Sequence, residues 1–246
     1  MATEPGLGMM QKLYSDLASW YHLLSAPEDF ADEAEFVRTT ILQSSTTPAR
    51  TILELGAGGG NNAFHLKSTF QMTLTDISEP MLNQSRRINP ECENIGGDMR
   101  SLRLGGEFDA VFVHDALTYM TTRTDLVDSM KTARLHCRHN GVALFMPDYV
   151  RERFRPGVHH GGHDGNGRSL RFFEWTFDTD TSDNTYTIDF VILLREGREP
   201  VRVEHDVHVN GLFWRDEWLE CLSEAGFRSA RMVEDPYGRE VFVANT

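Results

Sequence analysis

Thr51-Ile52-Leu53-Glu54-Leu55-Gly56-Ala57-Gly58-Gly59-Gly60-Asn61 runs from a short apolar strand through a glycine cluster into the start of a helix. Glycine permits a tight turn and lets a ligand approach the backbone. A glycine cluster alone is also the mark of a flexible loop; the strand–turn–helix setting is what favours a cofactor loop. Counted from Gly56, the third residue is Gly58 but the sixth is Asn61, where the dinucleotide fingerprint wants glycine. Glu54 stands two residues before Gly56. An acid there sits poorly beside a pyrophosphate and suits the ammonium of an amino-acid-bearing cofactor.

Outward from this stretch, strands and helical patterns alternate. Met72–Thr75 reads as a strand, Glu79-Pro80 opens a helix, Asp109–Val113 is a strand, Asp125–Cys137 a helix and Gly141–Met146 a strand. Such alternation implies βαβ units and a parallel sheet. Right-handed crossovers place the strand C-termini on one edge, where ligands bind. Asp76 ends the second strand, twenty residues after Gly56, where an acid accepts from both ribose hydroxyls. Its plainer reading is a cap for the helix after Ser78. Asp98 and Met99 follow the third strand; the acid suits an adenine amino group and the methionine a ring face.

Both flanks differ from this core. Leu13, Leu17, Trp20, Leu23 and Leu24 recur at helical spacing, and a second helix runs through Phe30, Ala34, Val37 and Ile41. Residues 151–167 read as a loop rich in Arg, His and Gly. Leu170–Phe177, Thr185–Leu194 and Val201–Asn210 read as antiparallel strands, followed by a helix Arg215–Ala225 and a last strand pair. The expected division is a helical cap (1–50), a cofactor-binding core (51–147), a β-rich insertion over the ligand edge (148–213) and a closing helix and strands (214–246). The 246 residues suffice for such a chain.

The formal charge of −13 opposes a polyanion, so neither nucleic acid nor an anionic membrane is an expected partner. No apolar run approaches a membrane span, and no signal peptide is expected at the N-terminus. Cys92, Cys137 and Cys221 form no CxxC pair, which fits a reducing cytoplasm.

The motifs ELGAGGG (54–60), LTDIS (74–78), GGDMR (96–100) and FDAVFVHDALTYM (108–120) together resemble the class I S-adenosylmethionine-dependent methyltransferases. The resemblance covers residues 10–147 and the closing helix and strands. It implies a Rossmann-like α/β fold, with a seven-stranded sheet whose last strand is antiparallel. S-adenosylmethionine is the cofactor it implies, held by Glu54, Gly56, Ala57, Gly58, Asp76, Ile77, Asp98 and Met99, with His114 beside them. The β insertion resembles that of small-molecule N-methyltransferases, including sugar-amine dimethyltransferases. In such enzymes tyrosines of an N-terminal helix close over the sulfonium; Tyr14 and Tyr21 are the candidates, and amphipathic packing is their alternative role.

Methyl transfer needs alignment in a dry site more than covalent chemistry. His114 and Asp115 follow the fourth strand, at the transfer edge, and are with Tyr21 the catalytic candidates, His114 as base. Tyr119 would line the acceptor pocket. His159, His160 and His163 with Asp164 form an odd segment: a mobile lid, an exposed loop or, against standard zinc spacing, a metal site. His160, His163 and Glu174 are the further acceptor-binding candidates, although strand alternation sends Glu174 to solvent. No metal is expected; the alternative is a carboxylate pair, Asp115 and Asp148, holding magnesium for O-methylation. The expected activity is methyl transfer to N or O of a small molecule by a monomer or homodimer. A nucleotide-dependent oxidoreductase and a non-catalytic S-adenosylmethionine-binding protein are the alternatives.

Overall fold

The computed structural model describes residues 10–246; residues 1–9 of the expected cap lie outside them. Strands β1 (Thr51–Leu55), β2 (Gln71–Asp76), β3 (Glu93–Gly96), β4 (Phe108–Val113) and β5 (Cys137–Phe145) are parallel neighbours. Beyond them, β6 (Gly157–Gly161), β7 (Asp164–Gly165), β8 (Arg168–Phe177), β9 (Thr185–Glu196) and β10 (Arg202–Gly211) build a separate antiparallel sheet. The chain returns through β11 (Ser229–Glu234) and β12 (Glu240–Asn245), and β12 runs antiparallel to β5 and β11. The main sheet has seven strands in the order β11-β12-β5-β4-β1-β2-β3. This is the Rossmann-like arrangement expected, antiparallel last strand included.

The strands read as apolar runs because both faces of the sheet are covered. Ile52, Leu74, Ala110, Phe112 and Leu144 pack on one side against Val37 and Ile41 of α2 (Ala31–Ser44) and Leu66 of α3 (Asn61–Leu66). Leu53, Leu55, Val111 and Val113 face the other side. There they meet Met130 of α5 (Arg123–His136) and Trp218 and Leu222 of α6 (Arg215–Glu224). Each such side chain contributes roughly 1.5–3 kcal/mol when fully buried. Between β2 and β3 lies α4 (Glu79–Ile88), whose N-cap is Ser78, accepting from the Met81 N–H at 3.2 Å. Asp76 is therefore not the cap of this helix.

Two expectations on the flanks change. The N-terminal apolar spacing does not give one helix. It gives short 3-10 turns, Lys12–Tyr14 and Ala18–Trp20, then a single α turn, α1 (Tyr21–Leu24). Leu13, Leu17 and Trp20 follow the inner face of the antiparallel sheet, packing with Phe172, Ile188 and Phe190. The Leu13 N–H donates to Asp206 Oδ2 at 2.8 Å rather than to a helical carbonyl. Tertiary contact thus overrides helical periodicity. The segment 151–167 is not all loop either: Gly157–Gly161 pairs with β8 as an edge strand. Its exposed histidines and glycines lack the β-branched signature, because an edge in solvent needs no apolar side chain.

The antiparallel layer leaves β5 and rejoins α6 at one point. The Arg151 N–H donates to Phe213 O at 2.9 Å and Arg151 Nε to Leu212 O at 3.2 Å. Its inner face meets the N-terminal turns. Its outer face exposes Val158, Phe173, Trp175, Val191, Leu193, Val203, Val207 and Val209.

Candidate active site

Leu55 is in register with Thr75 and Val113, Val113 with Phe145, and Asp76 with Gly96. The parallel strands therefore end at one level, and the turns that leave them open on a common space. That space is a cavity of about 600 Å³ between the strand ends, the N-terminal turns and the inner face of the layer. Glu54, Gly56, Ala57, Gly58, Asp76, Ile77, Asp98 and Met99 line it, with Tyr14, Tyr21, His114, Asp115, Tyr119 and Glu174. The sequence reading missed Asn61, Tyr149 and His208, which line it too.

The glycine turn is shaped by close approach. Gly56 has φ +74°, and a Cβ there would sit 2.3 Å from the Ala116 Cβ and 2.7 Å from the Met99 Cε. Asn61, the residue that breaks the dinucleotide fingerprint, donates from Nδ2 to the Ser25 carbonyl at 3.0 Å. It ties the turn to the segment that roofs the cavity. His22 makes a second tie, with Nε2 3.1 Å from Gly59 O.

Glu54 is 2% exposed, and its Oε2 has no hydrogen-bond partner among the described residues. Burial pushes its carboxyl up to about 8. An orphaned buried carboxylate oxygen aimed at a cavity fits a cationic ligand group. Asp76 accepts from the Gly58 N–H at 2.8 Å and the Ser78 N–H at 2.7 Å, so it braces the glycine turn and keeps free lone pairs for a ligand. Burial raises its pKa against these bonds. Asp98 is held by Arg100, whose backbone N–H donates at 2.8 Å and Nη2 at 2.6 Å, and it stays low for that reason. Met99 is buried beside it, whereas Ile77 is 62% exposed on the cavity rim.

On the opposite side lies a carboxylate network. His114 is 8% exposed, with Nε2 2.9 Å from Glu33 Oε1 and Nδ1 3.2 Å from Asp115 Oδ2. Glu33 also accepts from Asn62 Nδ2 at 2.9 Å and from Arg239. Both imidazole nitrogens thus lie near carboxylates, although Nε2 makes no hydrogen bond among the described residues. Asp115 and Asp148 both face the cavity, close enough to act on each other electrostatically. Burial and the nearby Glu33 push Asp115 up to about 7; burial and Asp115 push Asp148 well up. The Asp115 side chain is 41% open, and the opening is the cavity itself. Tyr14 and Tyr119 hydroxyls lie 3.0 Å apart, and the Tyr14 and Tyr21 rings are 6.4 Å apart.

Glu174 stands on the inner face of β8, and its neighbours Phe173 and Trp175 point outward, 45% and 54% exposed. The expected alternation is kept but inverted: the acid faces the cavity and the aromatics face solvent. His160 and His163 do not line the cavity. His160 pairs with Phe173 on the outer face, and His163 Nε2 lies 3.1 Å from Asp29 at the surface. Strand pairing of 157–161 fixes this, because His160 shares the outward side with Phe173. Among the described residues no group of three or more His, Cys, Asp or Glu is placed to hold a metal ion.

A family model described as a methyltransferase domain matches residues 52–141. The chain is 28% identical over 233 residues to the dTDP-3-amino-3,4,6-trideoxy-alpha-D-glucopyranose N,N-dimethyltransferase of Streptomyces venezuelae, covering 93% of this chain and 97% of that one. It is 24% identical to the dTDP-4-amino-2,3,4,6-tetradeoxy-D-glucose N,N-dimethyltransferase of Saccharopolyspora spinosa, over 94% of this chain and 91% of that one. Among solved structures, Streptomyces venezuelae DesVI superposes with a TM-score of 0.82 at 25% identity, covering 94% of this chain and 97% of that one. The sugar N-methyltransferase KedS8 of Streptoalloteichus shares the fold, with a TM-score of 0.83 at 23% identity over 100% and 97%. These relatives favour neither an oxidoreductase nor a protein without chemistry. The protein is an enzyme that uses S-adenosylmethionine and methylates a small molecule, and it resembles the class I S-adenosylmethionine-dependent methyltransferases.

Proposed function

We propose that the acceptor is the amine of a small amino sugar. The observation that carries this reading is the chemistry of the acceptor side: three carboxyl groups, those of Asp115, Asp148 and Glu174, face the cavity together, and a cationic guest favours their ionised form. Among the described lining residues Arg100 is the one arginine or lysine, and Asp98 and Asp125 already engage it. Such a wall attracts an ammonium group and gives an alcohol nothing comparable. The relatives named above act on amino sugars, which agrees.

S-adenosylmethionine supplies a methyl carbon already activated by its sulfonium. Glu54 receives the cofactor's ammonium, the Gly56-Ala57-Gly58 backbone cradles its chain, and Asp76 accepts from the ribose hydroxyls. Ile77 and Met99 cover the adenine and Asp98 accepts from its amino group. Tyr14 and Tyr21 close the reaction space against water. Asp115 and Asp148 orient the acceptor amine, with Tyr119 and Glu174 beside them. His114 braces Asp115 against Glu33 rather than acting as a base. The net charge of −13 speaks for this class of partner over nucleic acid.

No helix among the described residues is long and apolar enough to cross a membrane, and we place the enzyme in the cytoplasm. It works as a monomer or a homodimer, the apolar outer face of the layer being the surface a second copy would cover; sedimentation distinguishes the two.

Calorimetric titration with S-adenosylhomocysteine, with NADH as control, tests the cofactor side. Mass spectrometry after incubation with 3-amino and 4-amino dTDP-deoxysugars, and with hydroxylated counterparts, tests the acceptor side. Methylation of the amines alone is expected; methylation of the hydroxylated set alone would refute the amine assignment.

A further inference from the structure

One set of buried polar groups has no part in the roles above. Asp206 and His208 lie two residues apart on the inner face of β10, 8% and 1% exposed. His208 Nε2 is 3.1 Å from Asp206 Oδ2, and Asp206 Oδ2 also accepts the Leu13 N–H at 2.8 Å. On its other side, His208 Nδ1 is 2.7 Å from the Tyr119 hydroxyl. Tyr119 reaches the cavity from the turn after β4, and His208 lines it too. The approach is close by design of the backbone: a Cβ on Gly211, at the end of β10, would sit 2.2 Å from Met120 O.

We propose that Tyr119, His208 and Asp206 form a proton relay that takes the proton from the acceptor amine. This deepens the amine reading above and rests on it. Asp206 is an acceptor only, so Nε2 of a neutral His208 carries the proton and Nδ1 is left as the acceptor. The Tyr119 hydroxyl, which can also donate to Tyr14, therefore turns its proton to Nδ1 in the relay, and Tyr14 then supplies the proton of the Tyr14–Tyr119 contact. One lone pair of the Tyr119 oxygen remains free toward the cavity. An acceptor ammonium gives its proton to that oxygen as the Tyr119 proton passes to Nδ1. The nitrogen pair so freed forms the bond to the methyl carbon, and the carbon–sulfur pair stays with sulfur. One proton is released for each methyl transferred; it rests on His208, facing Asp206, until the site opens to water. Tyr119 is then the catalytic residue, and His208 and Asp206 are positioning residues.

Other charged and titratable groups face this relay. Tyr14 comes from the N-terminal turn, Asp115 and Asp148 from the ends of β4 and β5, Glu174 from β8 and Tyr186 from β9. Burial raises the Tyr119 hydroxyl well above its ordinary value, so it passes a proton on and does not keep a charge.

The ring can be observed without turnover. In nitrogen-15 histidine spectra of the protein saturated with S-adenosylhomocysteine, His208 is expected protonated on Nε2 with a hydrogen-bonded Nδ1. Tyr119→Phe should shift the Nδ1 signal. A His208 protonated on Nδ1 alone, or a signal indifferent to Tyr119→Phe, overturns the relay. The kinetic arm uses dTDP-3-amino-3,4,6-trideoxy-alpha-D-glucopyranose. His208→Gln and the gentler Asp206→Asn should each lower kcat about 100-fold at pH 7 with KM little changed. Both should recover about tenfold per pH unit up to the amine's own pKa, as free amine in solution replaces the relay. Variant profiles parallel to the parent profile overturn the proposal. Should the parent enzyme methylate no amine, the amine reading fails, and the histidine spectra decide the relay alone.

Discussion

In the core sheet, the residues that face the cavity leave the ends of parallel strands: Gly56 after β1, Ile77 after β2, His114 after β4. In the antiparallel layer they are alternate residues in mid-strand: Glu174 on β8, His208 on β10. The first kind of position is set by where a strand stops, which apolar length and glycine announce. The second is set by which face of a strand turns inward, which depends on what lies over the sheet. A strand end serves a cofactor whose shape is fixed; a sheet face can exchange one side chain at a time.

Substitutions can break or sharpen that contrast. The largest effect is expected from Gly56→Ala, which forces a side chain into a left-handed conformation and against Ala116. Strain of this kind costs about 1–3 kcal/mol. Thermal unfolding should show that loss, and S-adenosylhomocysteine should no longer bind measurably in calorimetry. Next is Asp76→Ala, which removes a charged acceptor worth about 1.5–3 kcal/mol. S-adenosylhomocysteine affinity should fall roughly 10- to 100-fold; an unchanged Kd would remove Asp76 from the ribose role.

Glu54 gives a smaller, pH-dependent effect. Its carboxyl, raised to about 8 by burial, is mostly protonated in the free protein at pH 7. A cationic ligand group favours the ionised form, so binding should expel a proton and tighten as pH rises from 6 to 8. Calorimetry in buffers of different ionisation enthalpy reads the proton directly, and Glu54→Gln should flatten the slope. The smallest effect is expected from His160→Ala and His163→Ala. Both side chains face away from the cavity, and neither cofactor affinity nor turnover should change beyond about twofold, the range of ordinary surface substitutions. A tenfold loss of turnover would mean that the outer side of β6 takes part in binding.

The fold was legible because the core obeys local rules. Periodicity, glycine placement and the acid at Asp76 act within a few residues of one another, and right-handed crossovers put the strand C-termini on one edge, whereas the strand order itself was not read from the sequence. For the same reason the residues expected to hold the cofactor could be named, and they line the cavity. The layer was not so legible. Glu174 and its aromatic neighbours alternate as a strand should, but alternation has two phases, and only the packing of Leu13, Leu17 and Trp20 on the inner face selects one. His160 and His163 were conspicuous by composition and stand outside the cavity. His208, which lines it, sits in Val-His-Val-Asn, where nothing marks it out. Its partners Tyr119 and Asp206 are 89 and 2 residues away.

The hydrogen bond between Arg151 and Phe213 has a bearing on how such an enzyme can be altered. The two ends of the layer are clasped side by side, so the core carries the layer as it would a short loop. Closing a chain costs entropy only logarithmically in its length, and the clasp fixes the endpoints whatever lies between them. The layer is in that sense a cassette. A graft cut at 151 and 213 would exchange the layer's side of the cavity and leave the strand ends on its other side untouched. The seam such a graft must respect is the N-terminal strap, whose Leu13 holds the layer and whose Tyr14 touches both parts.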